Sequence, residues 1–153
     1  MSRDRLAADC VFCRIVARKA AAAEVYRDEL VTAFLDHRPV TPGHVLVVAN
    51  AHIASFGDIP DELGARLLHV ARRLSAALRS SGLPCDGVNL LLADGEAASQ
   101  EVPHVHLHVI PRTPGDGFTI ESPAWRRPPP PAGELEANAR KIRKALIHDE
   151  GRS

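Results

Sequence analysis

PHVHLHVIPR, residues 103–112, alternates imidazole and aliphatic side chains. His104, His106 and His108 fall at every second position, and Val105 and Leu107 stand between them. Successive side chains of an extended strand point to opposite faces of the sheet. We therefore expect a strand with one face of imidazoles and one face that packs against a core.

Three imidazoles on one face are more than a core requires. Each ring has two nitrogens that need partners, and burying them without partners costs free energy. A metal-binding cluster, or a histidine cluster merely exposed at the surface, would account for the pattern. An imidazole also serves as nucleophile, proton carrier or hydrogen-bond donor near neutral pH. The row therefore favours a site where negative charge or a transferring group is handled.

Length and charge exclude several classes of protein. A chain of 153 residues fits one domain with a single core. Its 19 basic and 19 acidic side chains balance, so no overall field attracts nucleic acid or a membrane surface. No apolar run approaches the roughly 18 residues of a spanning helix, and the N-terminus lacks the apolar stretch of a secretory signal. We expect a cytoplasmic protein without nucleic-acid or membrane partners.

Periodicity along the rest of the chain predicts a sheet and one long helix. Residues 24–28 and 30–36 are short runs with β-branched and aromatic residues that predict a hairpin, and residues 44–50 (HVLVVAN) predict another strand. From Pro60 to Gly82 apolar residues recur at intervals of three and four, which predicts an amphipathic helix. A strand over 87–94 and a final helix over 133–149 complete an α+β arrangement.

Two of the three cysteines stand close together, as Cys10-x-x-Cys13. This spacing brings two sulfurs to one centre, and a reducing compartment keeps them as thiols. A pair of half-buried thiols, a redox pair and half of a zinc site all fit the spacing. The spacing alone leaves these three interpretations open.

The run HVHLHVI resembles the His-x-His-x-His-x-x signature of the histidine triad (HIT) nucleotide hydrolases and transferases, and the likeness extends from about Cys10 to Phe118. The resemblance implies an α+β fold with an antiparallel sheet, one long amphipathic helix and a C-terminal helix. We expect residues 1–9 to be flexible and residues 10–120 to form the HIT domain. Residues 121–153 would be a proline-rich linker, containing Pro128 to Pro131, and the C-terminal helix.

The resemblance implies a role for each histidine of the run. His106 would attack the α-phosphorus of a nucleotide and form a labile nucleotidyl-histidine that water hydrolyses. The ring must be uncharged to attack, so activity should fall in acid. His108 would donate to phosphate oxygens. His104 and His44 would complete the catalytic histidine network.

The resemblance also implies a nucleotide-binding set: Asp36, Gln100, Ser99 and Glu101. Asp36 would accept the ribose hydroxyls, since a carboxylate offers acceptor oxygens only, and Gln100 would contact phosphate. Three positions depart from the commonest family pattern, namely Ala93 for asparagine, Ser99 for glycine and Glu101 for serine or threonine. A carboxylate at Glu101 repels phosphate if it is ionised and points inward, so it either faces solvent, is protonated or selects a cationic substrate.

Bacterial relatives with the Cys-x-x-Cys pair imply a structural zinc site. Its ligands here would be Cys10, Cys13, His52 and His104, which make a closed tetrahedral set of two thiolates and two imidazoles. Such a set leaves no open position for substrate. His37, His69, His148 and Cys85 receive no role and are expected at the surface or in packing.

The expected function is therefore a nucleotide hydrolase or transferase that cleaves at the α-phosphate. Its substrate would be a nucleoside phosphoramidate, a dinucleoside polyphosphate or a related adenylated compound, of adenine type, and a nucleoside monophosphate would be released. A nucleotide-binding regulatory module with little turnover and a zinc-dependent catalyst are the alternatives. The resemblance also implies a homodimer, in which the region of Trp125 approaches the partner's site.

Overall fold

Short aliphatic and β-branched runs form an antiparallel sheet. In the computed structural model, which describes residues 9–120 and 128–149 with side chains as far as residue 146, five strands are present. They are β1 (Glu24–Arg27), β2 (Val31–Leu35), β3 (Val45–Ala49), β4 (Gly87–Leu91) and β5 (His106–Arg112). Their order is β1-β2-β3-β5-β4, with antiparallel pairing between neighbours. The predicted α+β fold class is confirmed.

The histidine-rich segment has two faces, as its alternation predicts. Val105, Leu107 and Val109 are buried in the main core, and the histidines point to the opposite side of the sheet. The strand itself begins at His106, because His104 lies in a tight turn whose backbone N–H donates to the Val102 carbonyl. The prediction of a strand from residue 103 was therefore three residues too long at its start.

One long helix covers the aliphatic face of the sheet. It is α2 (Asp61–Ser80), and it follows α1 (Val11–Val16) in the chain. Its buried residues recur at the predicted intervals and pack on β2, β3 and β5: Leu63, Leu67, Val70, Ala71 and Leu78. Asp61 and Glu62 in the first turn suit the positive end of the helix dipole. Within the described residues, no helix is both long and apolar enough to cross a bilayer.

Helix α1 closes part of the opposite, histidine-bearing face. Phe12 is buried there and forms a small apolar cluster with Phe34, Leu46 and Val48. The Phe12 ring meets the His106 ring edge-on at a centroid separation of 5.1 Å. The short helix thus brings Cys10 and Cys13 close to the histidines, although they are far apart in the chain.

A glycine turn carries the chain into β3 and fixes the position of His44. Gly43 has φ +89°, and a Cβ there would lie 3.0 Å from Leu83 Cδ1 and 3.1 Å from Leu78 Cδ2. The position therefore requires glycine for its backbone conformation and for lack of space.

We expect Gly43→Ala to lower the free energy of unfolding by about 2 kcal/mol. An alanine there is strained by the left-handed backbone conformation, and its Cβ is crowded by the two leucine side chains. Urea unfolding measures the loss. Gly117→Ala is the matched control, since Gly117 has φ +80° but nothing within 4 Å of its Cβ position. A Gly43→Ala loss no larger than that of the control would contradict the crowding.

The chain divides after Phe118 into two units, and the second contains α3 (Glu134–Asp149). The predicted C-terminal helix is confirmed, and its apolar residues Leu135, Ile142 and Leu146 are exposed. The expected flexibility of residues 1–9 falls outside the described residues, apart from Asp9, and so does the expected role of Trp125.

Candidate functional site

A cavity of about 530 Å³ lies on the histidine-bearing face of the sheet. Its lining includes residues from the segment after β2, from the start of β3, from the end of β4 and from β5. Among the predicted site residues, it is lined by Asp36, His44, Ser99, Glu101, His106 and His108. This volume is within the range of small-molecule sites. His104 and Gln100 are not part of the lining.

A backbone carbonyl determines which ring nitrogen of His106 carries the hydrogen. His106 Nδ1 lies 2.6 Å from the His104 carbonyl oxygen, which can only accept, so Nδ1 carries the hydrogen. In the neutral ring Nε2 then holds a lone pair. The side chain is only 5% exposed and lines the cavity. In the neutral ring, Nε2 is therefore the nitrogen that can act as a nucleophile.

His44 and His108 form a relay that starts from a backbone N–H. The Val40 N–H donates to His44 Nδ1 at 3.3 Å, so His44 Nε2 carries a hydrogen and donates to His108 Nδ1 at 2.9 Å. His108 Nε2 must then carry the second hydrogen of the pair. It is available as a donor to an anion in the cavity.

Burial keeps this relay uncharged. Burial, followed by the neighbouring His106 and His44, lowers the pKa of His108 to about 4, and Asp36 opposes the shift only weakly. Burial likewise lowers the pKa of His44. Both rings are neutral donors and acceptors at pH 7, which is the state that the relay requires.

His104 faces away from the cavity and toward the two cysteines. Its Nε2–H donates to the Ala49 carbonyl at 2.7 Å, which leaves a lone pair on Nδ1. Nδ1 lies 3.4 Å from Cys10 Sγ and 3.5 Å from Cys13 Sγ. The ring is fully buried, and burial lowers its pKa to about 4.

His52 completes a four-residue cluster that could hold a metal ion. Its Nδ1 lies 3.3 Å from Cys13 Sγ, and the four donor atoms of Cys10, Cys13, His52 and His104 lie within 4.8 Å of one another. With zinc–sulfur bonds of about 2.3 Å and zinc–nitrogen bonds of about 2.0 Å, the S···N edge of a tetrahedron measures about 3.5 Å. The spacings between thiol and imidazole match that edge.

The protonation of the cluster supports the same interpretation. Burial, then the charge of Cys10 and a hydrogen bond with it, raises the pKa of Cys13 to about 12. Two thiols packed together are therefore hard to ionise by themselves, and a cation between them would compensate the charge. The donor set fits a divalent metal held by two sulfurs and two nitrogens.

The lowered histidine pKa values predict a loss of stability in acid. A histidine of the unfolded chain has the ordinary pKa of 6.5, whereas the folded pKa of His104 and of His108 is about 4. Between these values the unfolded state binds more protons, so stability falls as pH falls from 6.5 to 4. We expect up to about 3 kcal/mol for each ring, measured by urea unfolding with a chelator present.

His108→Gln should remove part of this pH dependence, and His69→Gln should not. His69 is exposed on α2 and serves as the matched control. A free energy of unfolding that stays constant between pH 6.5 and pH 4 would contradict the low pKa values of His104 and His108.

The loop before β5 is held by Gln100. Its Oε1 accepts from the Gly95 N–H at 2.8 Å, and its Nε2 donates to the Ala54 carbonyl at 2.8 Å. Ser99, in the same loop, has φ +66°, a left-handed conformation that glycine adopts without strain. This conformation gives a physical reason for the usual family glycine at that position.

Asp36 borders the cavity at the end of β2. Its Oδ1 accepts from the Arg38 N–H at 2.8 Å, and its Oδ2 lies 3.9 Å from His44 Nδ1. The carboxylate is partly buried and has acceptor capacity left for a ligand.

Reasoning from sequence missed several contributors to the site. They include Phe12 against the His106 ring, the Val40 N–H of the relay, and His37, Arg38, Leu91 and Phe118 in the cavity lining. His37 was given no role, yet it and Arg38 directly follow Asp36, so their nearness to a predicted binding residue was a usable signal. The others depend on contacts made only in the folded chain.

Comparison with known proteins gives consistent matches. A HIT domain family model matches residues 17–115. Protein hit of Bacillus subtilis is 43% identical over 113 residues, covering 73% of this chain and 77% of that protein. An adenosine 5'-monophosphoramidase of Saccharomyces cerevisiae is 36% identical over 120 residues, covering 78% and 73%. A zinc-bound histidine triad family protein from Mycobacterium smegmatis has a crystal structure with TM-score 0.71 and 39% identity, covering 96% and 99%.

Proposed function

The chain belongs to the histidine triad (HIT) family, and on that premise we propose that it is a nucleotide hydrolase or transferase acting at an α-phosphate. Its substrate is a nucleoside phosphoramidate, a dinucleoside polyphosphate or a related adenylated compound. The observation that carries the proposal is the arrangement of His106 and His108 along one cavity. One ring offers a lone pair on Nε2, and the other offers an N–H on Nε2.

The first step forms a bond between His106 Nε2 and the α-phosphorus. The bond from phosphorus to the leaving group breaks, and the leaving group departs with the electron pair and takes a proton from solvent. The nucleotidylated imidazole carries a positive charge, which the His104 carbonyl stabilises through Nδ1–H. The His108 N–H donates to the phosphoryl oxygens as negative charge develops there.

The second step returns the enzyme to its starting state. Water attacks the phosphorus, the bond between nitrogen and phosphorus breaks, and the electron pair returns to His106 Nε2. The water loses its proton to solvent, and a nucleoside monophosphate is released. Two displacements through a labile P–N bond replace one difficult hydrolysis.

The nucleoside binds at the Asp36 end of the cavity in this proposal. Asp36 accepts the two ribose hydroxyls, and Ser99 and Glu101 face the nucleotide from the loop before β5. Gln100 supports that loop through Gly95 and Ala54, and turns toward phosphate only if one of these bonds opens. The yeast relative named as an adenosine 5'-monophosphoramidase supports an adenosine phosphoramidate as first choice.

A substrate panel tests the proposal. Adenosine 5'-phosphoramidates and diadenosine tetraphosphate are incubated with the protein, and release of the monophosphate is followed. We expect turnover of at least one of these compounds that persists after chelation. Binding of adenosine monophosphate without turnover of any compound would instead identify a nucleotide-binding regulatory module, the alternative that Ala93 and Glu101 favour.

Zinc is the metal we propose for the cluster of Cys10, Cys13, His52 and His104. The zinc-bound relative from Mycobacterium smegmatis and the tetrahedral spacings support it. When bound, zinc would compensate the thiolate charge and tie α1 to the segment that precedes β5. Four protein ligands would fill its coordination, so we give it a structural role.

We also propose a homodimer formed at the β4 edge. β4 is an outer strand of the sheet, and α2 packs mainly on β5, β3 and β2. Leu90 on β4 is 47% exposed and Leu68 on α2 is 60% exposed. An outer strand with exposed apolar side chains is a surface that a second copy can cover.

Leu90→Arg should convert the dimer to a monomer, because a charge would be buried without a partner at the interface. Sedimentation equilibrium measures the mass, which should be twice that of the chain for the natural sequence. Val25→Arg changes a similarly exposed residue on β1, at the opposite edge of the sheet, and should leave the dimer intact. A monomeric natural protein would refute the assembly.

A further inference from the structure

The histidine-bearing face of β5 continues to an arginine. Arg112 lies two residues beyond Ile110 and four beyond His108 on this strand. Its guanidinium pairs with Asp116 through Nε–Oδ2 at 2.6 Å and Nη2–Oδ1 at 2.9 Å. Nη1 donates to Asn89 Oδ1 on β4 at 2.6 Å. Because Asp116 and Asn89 both bind the planar guanidinium, this group has little freedom to move.

The same ion pair folds the following loop over the end of the cavity. Asp116 accepts from the backbone N–H of Thr113 at 3.2 Å and of Phe118 at 3.0 Å. Arg112 also donates to the Phe118 carbonyl, and its guanidinium carbon lies 4.9 Å from the centroid of the Phe118 ring. The position of Phe118 is thus determined by Arg112 and Asp116.

Phe118 forms part of the cavity wall. Leu91 and Ala93, at and beyond the end of β4, line the cavity with it. Asp36 lies beyond β2, and β3 and β5 stand between β2 and β4 in the sheet. If the ribose binds Asp36 and the phosphorus lies at His106, the apolar end is left for the leaving group.

We propose that Leu91, Ala93 and Phe118 form a leaving-group subsite for a flat apolar group, such as an amine that carries an aromatic ring. This inference rests on the function proposed above, and it names the chemical class of the group that departs. Phe118 is the specificity-determining residue, because its ring offers an aromatic surface in the cavity. Arg112 is a positioning residue that acts through Phe118.

The chemistry adds no reactant beyond water. The bond between phosphorus and the amine nitrogen breaks, the amine keeps the electron pair, and it gains one proton from solvent. Phe118 contributes by contact with the apolar part of the departing amine. Its effect should therefore appear as a preference among leaving groups.

Two matched substrates test the subsite: adenosine 5'-phosphoramidates of benzylamine and of methylamine. We expect kcat/KM to favour the benzyl compound by about tenfold, from aromatic contact and apolar burial. Phe118→Ala and Phe118→Leu should both reduce this ratio, and Phe118→Tyr should retain it. The leucine variant keeps apolar volume and decides the matter if the alanine variant fails to fold.

Arg112→Lys tests the positioning role. Lysine keeps the charge but loses the bidentate pairing with Asp116, so the ratio of kcat/KM for the benzyl and methyl compounds should fall several-fold. The melting temperature reports any general loss of structure. Phe56→Ala is the control for removal of an exposed aromatic ring, and it should leave the ratio unchanged.

Binding of the corresponding benzyl and methyl phosphonate analogues, which cannot be hydrolysed, separates this inference from the function. If both phosphoramidates are hydrolysed at equal rates and both analogues bind equally, the subsite is refuted and the function stands. If neither is hydrolysed but the benzyl analogue binds more tightly through Phe118, the function is refuted, and the subsite stands only as a binding site for an aromatic group, without a leaving-group role. If neither compound is hydrolysed and neither analogue binds, both are refuted.

Discussion

His106→Asn should lower monophosphate release by roughly 10³- to 10⁶-fold, the range seen when a covalent nucleophile is removed. Asparagine keeps an N–H that can donate to the His104 carbonyl, but it offers no ring nitrogen with a lone pair for phosphorus. The expected loss is therefore chemical, and the fold should be retained. Rapid acid-free quenching with labelled substrate should show a nucleotide attached to the natural protein and none on the variant.

The control for this variant is His69→Asn, on the exposed side of α2. It should retain full activity and the same adduct. Release of monophosphate by His106→Asn at the rate of the natural protein would show that His106 is not the nucleophile. An adduct that persists in His106→Asn would point to a different attacking group.

At neutral pH, loss of the proposed zinc ion should cause the largest change in stability. Cys13→Ser, or chelation of the natural protein, removes binding energy that favours only the folded state. With free zinc at about a thousand times its dissociation constant, that energy is about 4 kcal/mol. For a chain of this length we expect the melting temperature to fall by roughly 8 to 16 °C. Differential scanning calorimetry and metal analysis measure the two quantities.

Cys85→Ser is the matched control for the cysteine variant. Its Sγ contacts the Gly87 carbonyl at 3.3 Å and lies outside the four-residue cluster. It should change the melting temperature only slightly and should bind the same amount of zinc as the natural protein. Equal melting temperatures with and without zinc would refute the structural role.

Local pattern was sufficient for much of the fold. The alternation of His104, His106 and His108 with aliphatic residues predicted a strand with two different faces, because side chains of a strand alternate whatever the topology. The three-and-four spacing of Leu63, Leu67 and Val70 predicted the long helix for a similar reason. Both features depend on neighbours in sequence, so no knowledge of distant contacts was needed.

The site required contacts between distant parts of the chain. Cys10 and His104 are separated by 94 positions, and only the family resemblance linked them before their 3.4 Å contact was seen. The resemblance gave His44 a place in the histidine network, but the backbone N–H of Val40 has no signature in its side chain, so the donor that sets the hydrogen positions of His44 could not be predicted. Phe118 followed a turn-rich loop, and its place in the cavity depends on the Arg112–Asp116 pair.

Ring protonation in this site is set by main-chain atoms: the Ala49 carbonyl for His104, the His104 carbonyl for His106, and the Val40 N–H for His44. A substitution replaces a side chain but keeps these peptide groups, as long as the backbone path survives. The histidine arrangement that the proposed attack on phosphorus requires therefore depends on the fold, whereas side chains that line the cavity, such as Ala93 and Glu101, can change. A new substrate range can arise in such a protein without any change to how its histidines hold their hydrogens.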